Sequence, residues 1–202
     1  MAAKDEIIYV NYMTEVKNRI DFLQRFDFSV FPKQVAVELI ALQLRKLAEM
    51  LIFASLVVNR QQYAEMHSDF KKHWRIKEII KRIKQINQHY LPTPIKQIEK
   101  DGKPFWEYPT GPQFFTESDL VEIYEESSGI IHSYRPFSES TADVDAFLEK
   151  VNGRLAKMVL TLNHHKIHPP SGDDYFVIHM LEEGHEGPVI YGFRNLGPKA
   201  GS

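Results

Sequence analysis

The sequence predicts a mainly helical protein, a bundle of about five helices with one or two small β-hairpins. Three observations predict this. Apolar residues recur at spacings of three and four over several long stretches, the period of one helix face. The stretch from Val35 to Val58 is apolar at 18 of 24 positions, as expected of a helix covered on every side. Hairpin-type turn signals stand out at Asp101-Gly102 and in Glu182–Gly187. A length of 202 residues suits one domain over 1–202. It divides into a helical region over 5–168 with a hairpin insertion near 95–108, and a C-terminal hairpin over 173–195.

Tyr9, Met13, Val16, Ile20 and Leu23 define the inner face of the first helix. Phe26, Phe28, Val30 and Phe31 form an aromatic connector ending at Pro32, a residue suited to the first turn of the next helix. That helix runs to about Asn59. A basic amphipathic helix follows from Phe70 to about His89, with Ile76, Ile79, Ile80, Ile83 and Ile86 inward, and Pro92 and Pro94 stop it. Thr116 and Ser118 offer caps for a helix reaching about Ser133, with acidic residues in its first turn. Gly129 leaves room there for another backbone. A last helix begins near Thr141 and carries Val144, Phe147, Leu148, Val151, Leu155, Met158, Val159 and Leu162 on its apolar face. It continues into NHHKIH, which places His164 and His168 on the surface at a helix C-terminus.

The net charge of −2 gives no global attraction to nucleic acid or anionic lipid, and the chain has no cysteine. Disulfides, thiolate metal sites and cysteine nucleophiles are therefore excluded, and a reducing, cytoplasmic setting is expected. The N-terminal residues do not read as a secretory signal. Glu38, Arg45, Lys46 and Glu49 interrupt the long apolar stretch, so it reads as a core helix and not a membrane span. The pattern calls for no metal and no cofactor.

Four groups of residues could carry chemistry. Glu38, Arg45 and Glu49 fall within about 40° of one another on the central helix, as a structural ion pair or as the floor of a cleft offering Arg45 to an anion. Tyr124, Ser128 and His132 share a face one turn apart, with Arg135 near its end. The histidine there is either a general acid or base or a helix cap. His164 and His168 have the i, i+4 spacing of a helical zinc pair but lack a carboxylate to complete it. Lys71, Lys72, Arg75, Lys77, Lys81, Arg82 and Lys84 surround the basic helix. Residues 66–100 hold nine Lys/Arg against three Asp/Glu, and residues 101–150 hold three against eleven. The basic face either binds phosphates or pairs with that acidic segment.

Residues 41–59 (ALQLRKLAEMLIFASLVVN) and 119–137 (DLVEIYEESSGIIHSYRPF) together resemble the HEPN superfamily of small helical domains. The first is similar to an internal HEPN helix carrying an Arg and a Glu, the second to the helix ending in the superfamily's histidine. The resemblance implies a helical domain that often dimerises. Many members cut RNA without metal in toxin–antitoxin and phage-defence systems, and others are non-catalytic. On that template His132 would exchange a proton with the ribose 2′-hydroxyl or the leaving oxygen. Arg45 or Arg135 would stabilise the phosphate, and Ser128 would orient the imidazole. The catalytic Arg-x(4–6)-His motif is incomplete, because none of residues 123–128 is arginine. The expected function is engagement of RNA or a protein partner by a homodimer. It would act either as a metal-independent endoribonuclease of a defence or toxin-type system, or as a non-catalytic binding or regulatory module.

Overall fold

In the computed structural model, residues 1–66, 75–100, 102–132, 143–170 and 174–194 are described. The chain is mainly helical with two small antiparallel sheets. The helices among the described residues are α1 (Ala3–Arg25), α2 (Lys33–Val58), α3 (Arg60–Met66), α4 (Ile76–Ile86), α5 (Glu117–Ile131) and α6 (Val144–Leu162). The strands are β1 (Thr93–Pro94), β2 (Lys96–Lys100), β3 (Lys103–Glu107), β4 (His164–Ile167), β5 (Asp174–His179) and β6 (Val189–Arg194).

Helix α2 packs against α1, α4 and α5, and twelve of its 26 residues are buried. Its composition leaves few polar positions for solvent, so neighbours cover most of its circumference. The five residues read as the inner face of α1 are all buried. Between α1 and α2, Asp27 accepts from the Ser29 N–H and starts a short 3₁₀ turn over Phe28–Val30. Phe22, Phe26, Phe28 and Phe31 cluster there with ring centroids 4.8–5.9 Å apart. Pro32 stands at the cap position of α2.

Helix α4 ends at Ile86, before the prolines expected to stop it. The stop is Asn87. Its buried side chain donates to Asn59 Oδ1 and to the His168 carbonyl, and accepts from the His89 N–H. Thr116 and Asp119 form a reciprocal capping box at the start of α5, which satisfies two otherwise orphaned donors. Gly129 has open space where a Cβ would sit, so it mediates no close backbone approach, contrary to expectation.

Both expected hairpins are present. β2 pairs with β3, and Gly102 adopts φ 71° at their turn. β5 pairs with β6, with Gly184 at φ 83° between them. Such angles suit glycine, which has no Cβ to clash. The larger sheet, however, has four strands in the order β1-β4-β5-β6. The last helix was expected to run through His164–His168. It stops instead at Leu162, and residues 164–167 are strand β4. Pairing with β1 on one side and β5 on the other supplies the backbone partners. His165 and Ile167 face the core on one side of the strand, and Lys166 on the opposite side is buried as well, against Tyr108 and Tyr175. No helix of the described residues is long and apolar enough to cross a membrane.

Candidate functional site

Arg45 sits half-buried between α2 and α5, with its side chain 21% exposed. Its Nε donates to Glu49 Oε1 at 3.1 Å, Nη1 to Ser128 Oγ at 3.2 Å, and Nη2 to Tyr124 Oη at 3.1 Å. The guanidinium also lies 4.7 Å from the centre of the Tyr124 ring, in cation–π range. Glu49 receives Lys46 as well, at 2.7 Å. Burial pushes the Glu49 carboxyl up, but the hydrogen bonds from Lys46 and Arg45 outweigh it and hold the group below the usual carboxylate range. The two constellations read separately on α2 and α5 thus form one network. Glu38 lies outside it and accepts from Gln34.

His132 is the exposed C-cap of α5, and its backbone N–H donates to the Ser128 carbonyl at 3.1 Å. The Ser128 hydroxyl donates to the Tyr124 carbonyl at 2.6 Å while accepting from Arg45. Its hydrogen bonds therefore run to Tyr124 and Arg45 and not to the imidazole. Arg135 lies outside the described residues, as do Lys71 and Lys72.

The charge segregation is partly answered within the fold, where two cations of α4 reach carboxylates of α5. Lys77 pairs with Glu125, Lys84 with Glu117 at 3.0 Å, and Arg82 with Glu78 at 2.7 Å. From the other side, Lys150 and Arg154 of α6 each reach Glu122 and Glu126 of α5, and Lys157 reaches Asp119. The Arg154 side chain is only 7% exposed, and among the described residues its Nη1 has no partner. Lys81 is exposed on α4, and Arg75 stands at that helix's N-cap.

The histidines after α6 depart furthest from expectation. His164 and His168 are partly buried residues of the sheet region, not exposed ends of a helix. His165, between them, is fully buried. Its Nδ1 lies 2.7 Å from the Leu162 carbonyl and its Nε2 2.8 Å from Tyr9 Oη. A carbonyl can only accept, so Nδ1 carries the proton and Tyr9 donates to Nε2. Burial lowers the His165 pKa to about 4 and raises that of the Tyr9 phenol, since both charged forms would be desolvated. No local pattern marked this strand: HHKIH holds one apolar residue, yet His165, Lys166 and Ile167 are all buried. Among the described residues, no group of three or more His, Asp or Glu side chains is placed to hold a metal. A groove of about 340 Å³ lies elsewhere, lined by Ile20, Val159, Leu162, Met180 and Leu181 with a charged rim from α1.

No family model, no curated protein and no solved structure matches the chain.

Proposed function

We propose that the protein is a HEPN-like helical bundle that binds RNA without cutting it, as a homodimer in the cytoplasm. The observation that carries the absence of cutting is the state of Arg45, while RNA as the ligand rests on the resemblance of residues 41–59 and 119–137 to the HEPN superfamily. Its three nitrogens donate to Glu49, Ser128 and Tyr124, which ties α2 to α5. A phosphate seeking this cation would have to displace those partners and leave the Glu49 carboxylate partly unpaired. The imidazole expected to move protons stands on the surface, and the Ser128 hydroxyl meant to orient it is bonded elsewhere. The test is incubation of RNA with the protein in EDTA. RNA should remain intact with wild type and with His132→Ala alike. Cleavage by wild type that a folded His132→Ala variant lacks would establish the catalytic alternative instead.

The exposed face of α2 supports the dimer. Val35 is 47% exposed and Leu42 41%, two turns apart on one side of the helix. Glu38 and Lys46 flank Leu42 at equal distances. Two copies crossing antiparallel at Leu42 would set Glu38 of one at the height of Lys46 of the other.

A further inference from the structure

Strand β6 ends the four-stranded sheet, and among the described residues only β5 pairs with it. The ladder determines which of its backbone groups stay free. The Met180 N–H donates to the Asn163 carbonyl at 2.9 Å, so that pair is hydrogen-bonded. The next pair, His164 opposite His179, is then not hydrogen-bonded. The Ile95 N–H agrees from the other side of β4, reaching the His164 carbonyl at 3.0 Å. His179 therefore turns its N–H and carbonyl toward Val189 of β6. The β5–β6 register runs unbroken from that pair to Asp174 opposite Arg194, so the two kinds of pair alternate. Val189, Tyr191 and Phe193 bond to β5. Ile190, Gly192 and Arg194 present their N–H and carbonyl groups to the open edge.

Folded proteins blunt such an edge with lysines, prolines or bulges. β6 has none of these: VIYGFR has no proline, its one charge is the terminal Arg194, and its register has no extra residue. Residues 191–194 are exposed. Two rings stand beside the open backbone, with Phe193 stacked on Tyr175 at 5.1 Å and Tyr191 edge-on to His179 at 5.7 Å. Between them Gly192 has no side chain, and a Cβ there would lie 3.2 Å from the Phe176 ring.

We propose that β6 is a self-pairing edge: two copies of the chain align their β6 strands antiparallel, with Gly192 opposite Gly192 of the second copy. Of all antiparallel registers, only this one sets all three open residues opposite open residues. Ile190 then faces Arg194 of the second copy, and two-fold symmetry repeats the pair at the other end. Each such pair exchanges both of its N–H···O bonds. Tyr191 opposite Phe193 is the intervening non-hydrogen-bonded pair, the type whose side chains lie closest. The exposed rings thus cover one another across the join. This self-complementarity of the open edge is what identifies a second copy as its occupant. The contact goes beyond the α2 face and does not use it. Six residues a side are few against the about 20–30 of a standard stable interface, so the edge pairs only at high concentration, joining dimer to dimer.

The test is amide hydrogen exchange by NMR on the full-length Leu42→Glu variant, in which the α2 face is blocked and the edge acts alone. It is run at about 50 µM and about 1 mM protein. At the lower concentration the amides of Ile190, Gly192 and Arg194 should exchange freely, while those of Val189, Tyr191 and Phe193 are protected. At the higher one the open set should slow by about threefold or more, because exchange then proceeds only through the unpaired fraction. Adding Tyr191→Lys and Phe193→Lys sets like charges across the join. It should abolish that slowing and leave the pattern at the lower concentration unchanged. Open-set amides that exchange alike at both concentrations would overturn the proposal. So would their protection at the lower concentration, or self-association that leaves them exchanging freely.

Discussion

Mild acid should destabilise this protein through His165, before its carboxylates begin to titrate. The imidazole is fully buried, neutral, and tied at both nitrogens to Tyr9 and Leu162. Unfolded, such a group titrates near 6.5; folded, it does so at about 4. The unfolded chain therefore takes up the proton more readily. Stability is fully present above pH 6.5 and is lost as pH falls toward 4. At about 1.4 kcal/mol per pKa unit, the loss from this one group is about 2 kcal/mol between pH 7.5 and 5, and roughly 3 by pH 4. His164 and His168 are also held low by burial, so they act with the same sign. Glu49, Asp119 and Glu126 are held below the usual carboxylate range. Stability tied to them is lost only below about pH 4.5, which leaves the window from 7.5 to 5 to the imidazoles. Urea unfolding followed by circular dichroism across that window measures the effect. His165→Gln should be less stable than wild type at pH 7.5, with a pH dependence flatter by about 2 kcal/mol. A folded His165→Gln that kept the whole wild-type slope would refute the reasoning.

Arg45→Ala should cost about 2–3 kcal/mol in urea unfolding, because it strips hydrogen bonds to a charged group from three partners. Arg45→Lys should recover little of that, since an ammonium cannot reproduce the planar fork. Arg154→Ala should cost about 3 kcal/mol, because it leaves Glu122 and Glu126 with only the more exposed Lys150. Leu42→Glu should convert a dimer to a monomer in multi-angle light scattering with little change in thermal midpoint, because the side chain is exposed within one copy. A monomeric wild type would remove the α2 interface.

The helices were legible in the sequence where one face meets one core. The spacing of Tyr9, Met13, Val16, Ile20 and Leu23 settles α1, because every inward position is apolar and the period does not change. The α2–α5 network was half legible. Spacing put Arg45 beside Glu49, and Tyr124 beside Ser128, but only packing joins the two pairs. The end of α6 was not legible. The residues of β4 acquire their partners from β1, some seventy positions earlier, and from β5 beyond a pair of prolines, and a local period cannot register either. The same absence of local partners hid His165 and Lys166, both buried, whose neighbours Tyr9, Tyr108 and Tyr175 come from distant segments. The basic face of α4 was legible from spacing, but its neighbours were not: only the fold brings Glu117 and Glu125 against Lys84 and Lys77.

Binding without cleavage is tested most directly by titrating the protein into labelled single-stranded RNA in EDTA. Anisotropy is followed, and the same sample is then run on a denaturing gel. The account predicts a saturable rise in anisotropy with the RNA still full length. RNA cut into fragments in that sample, with cutting absent in a folded His132→Ala variant, would contradict it.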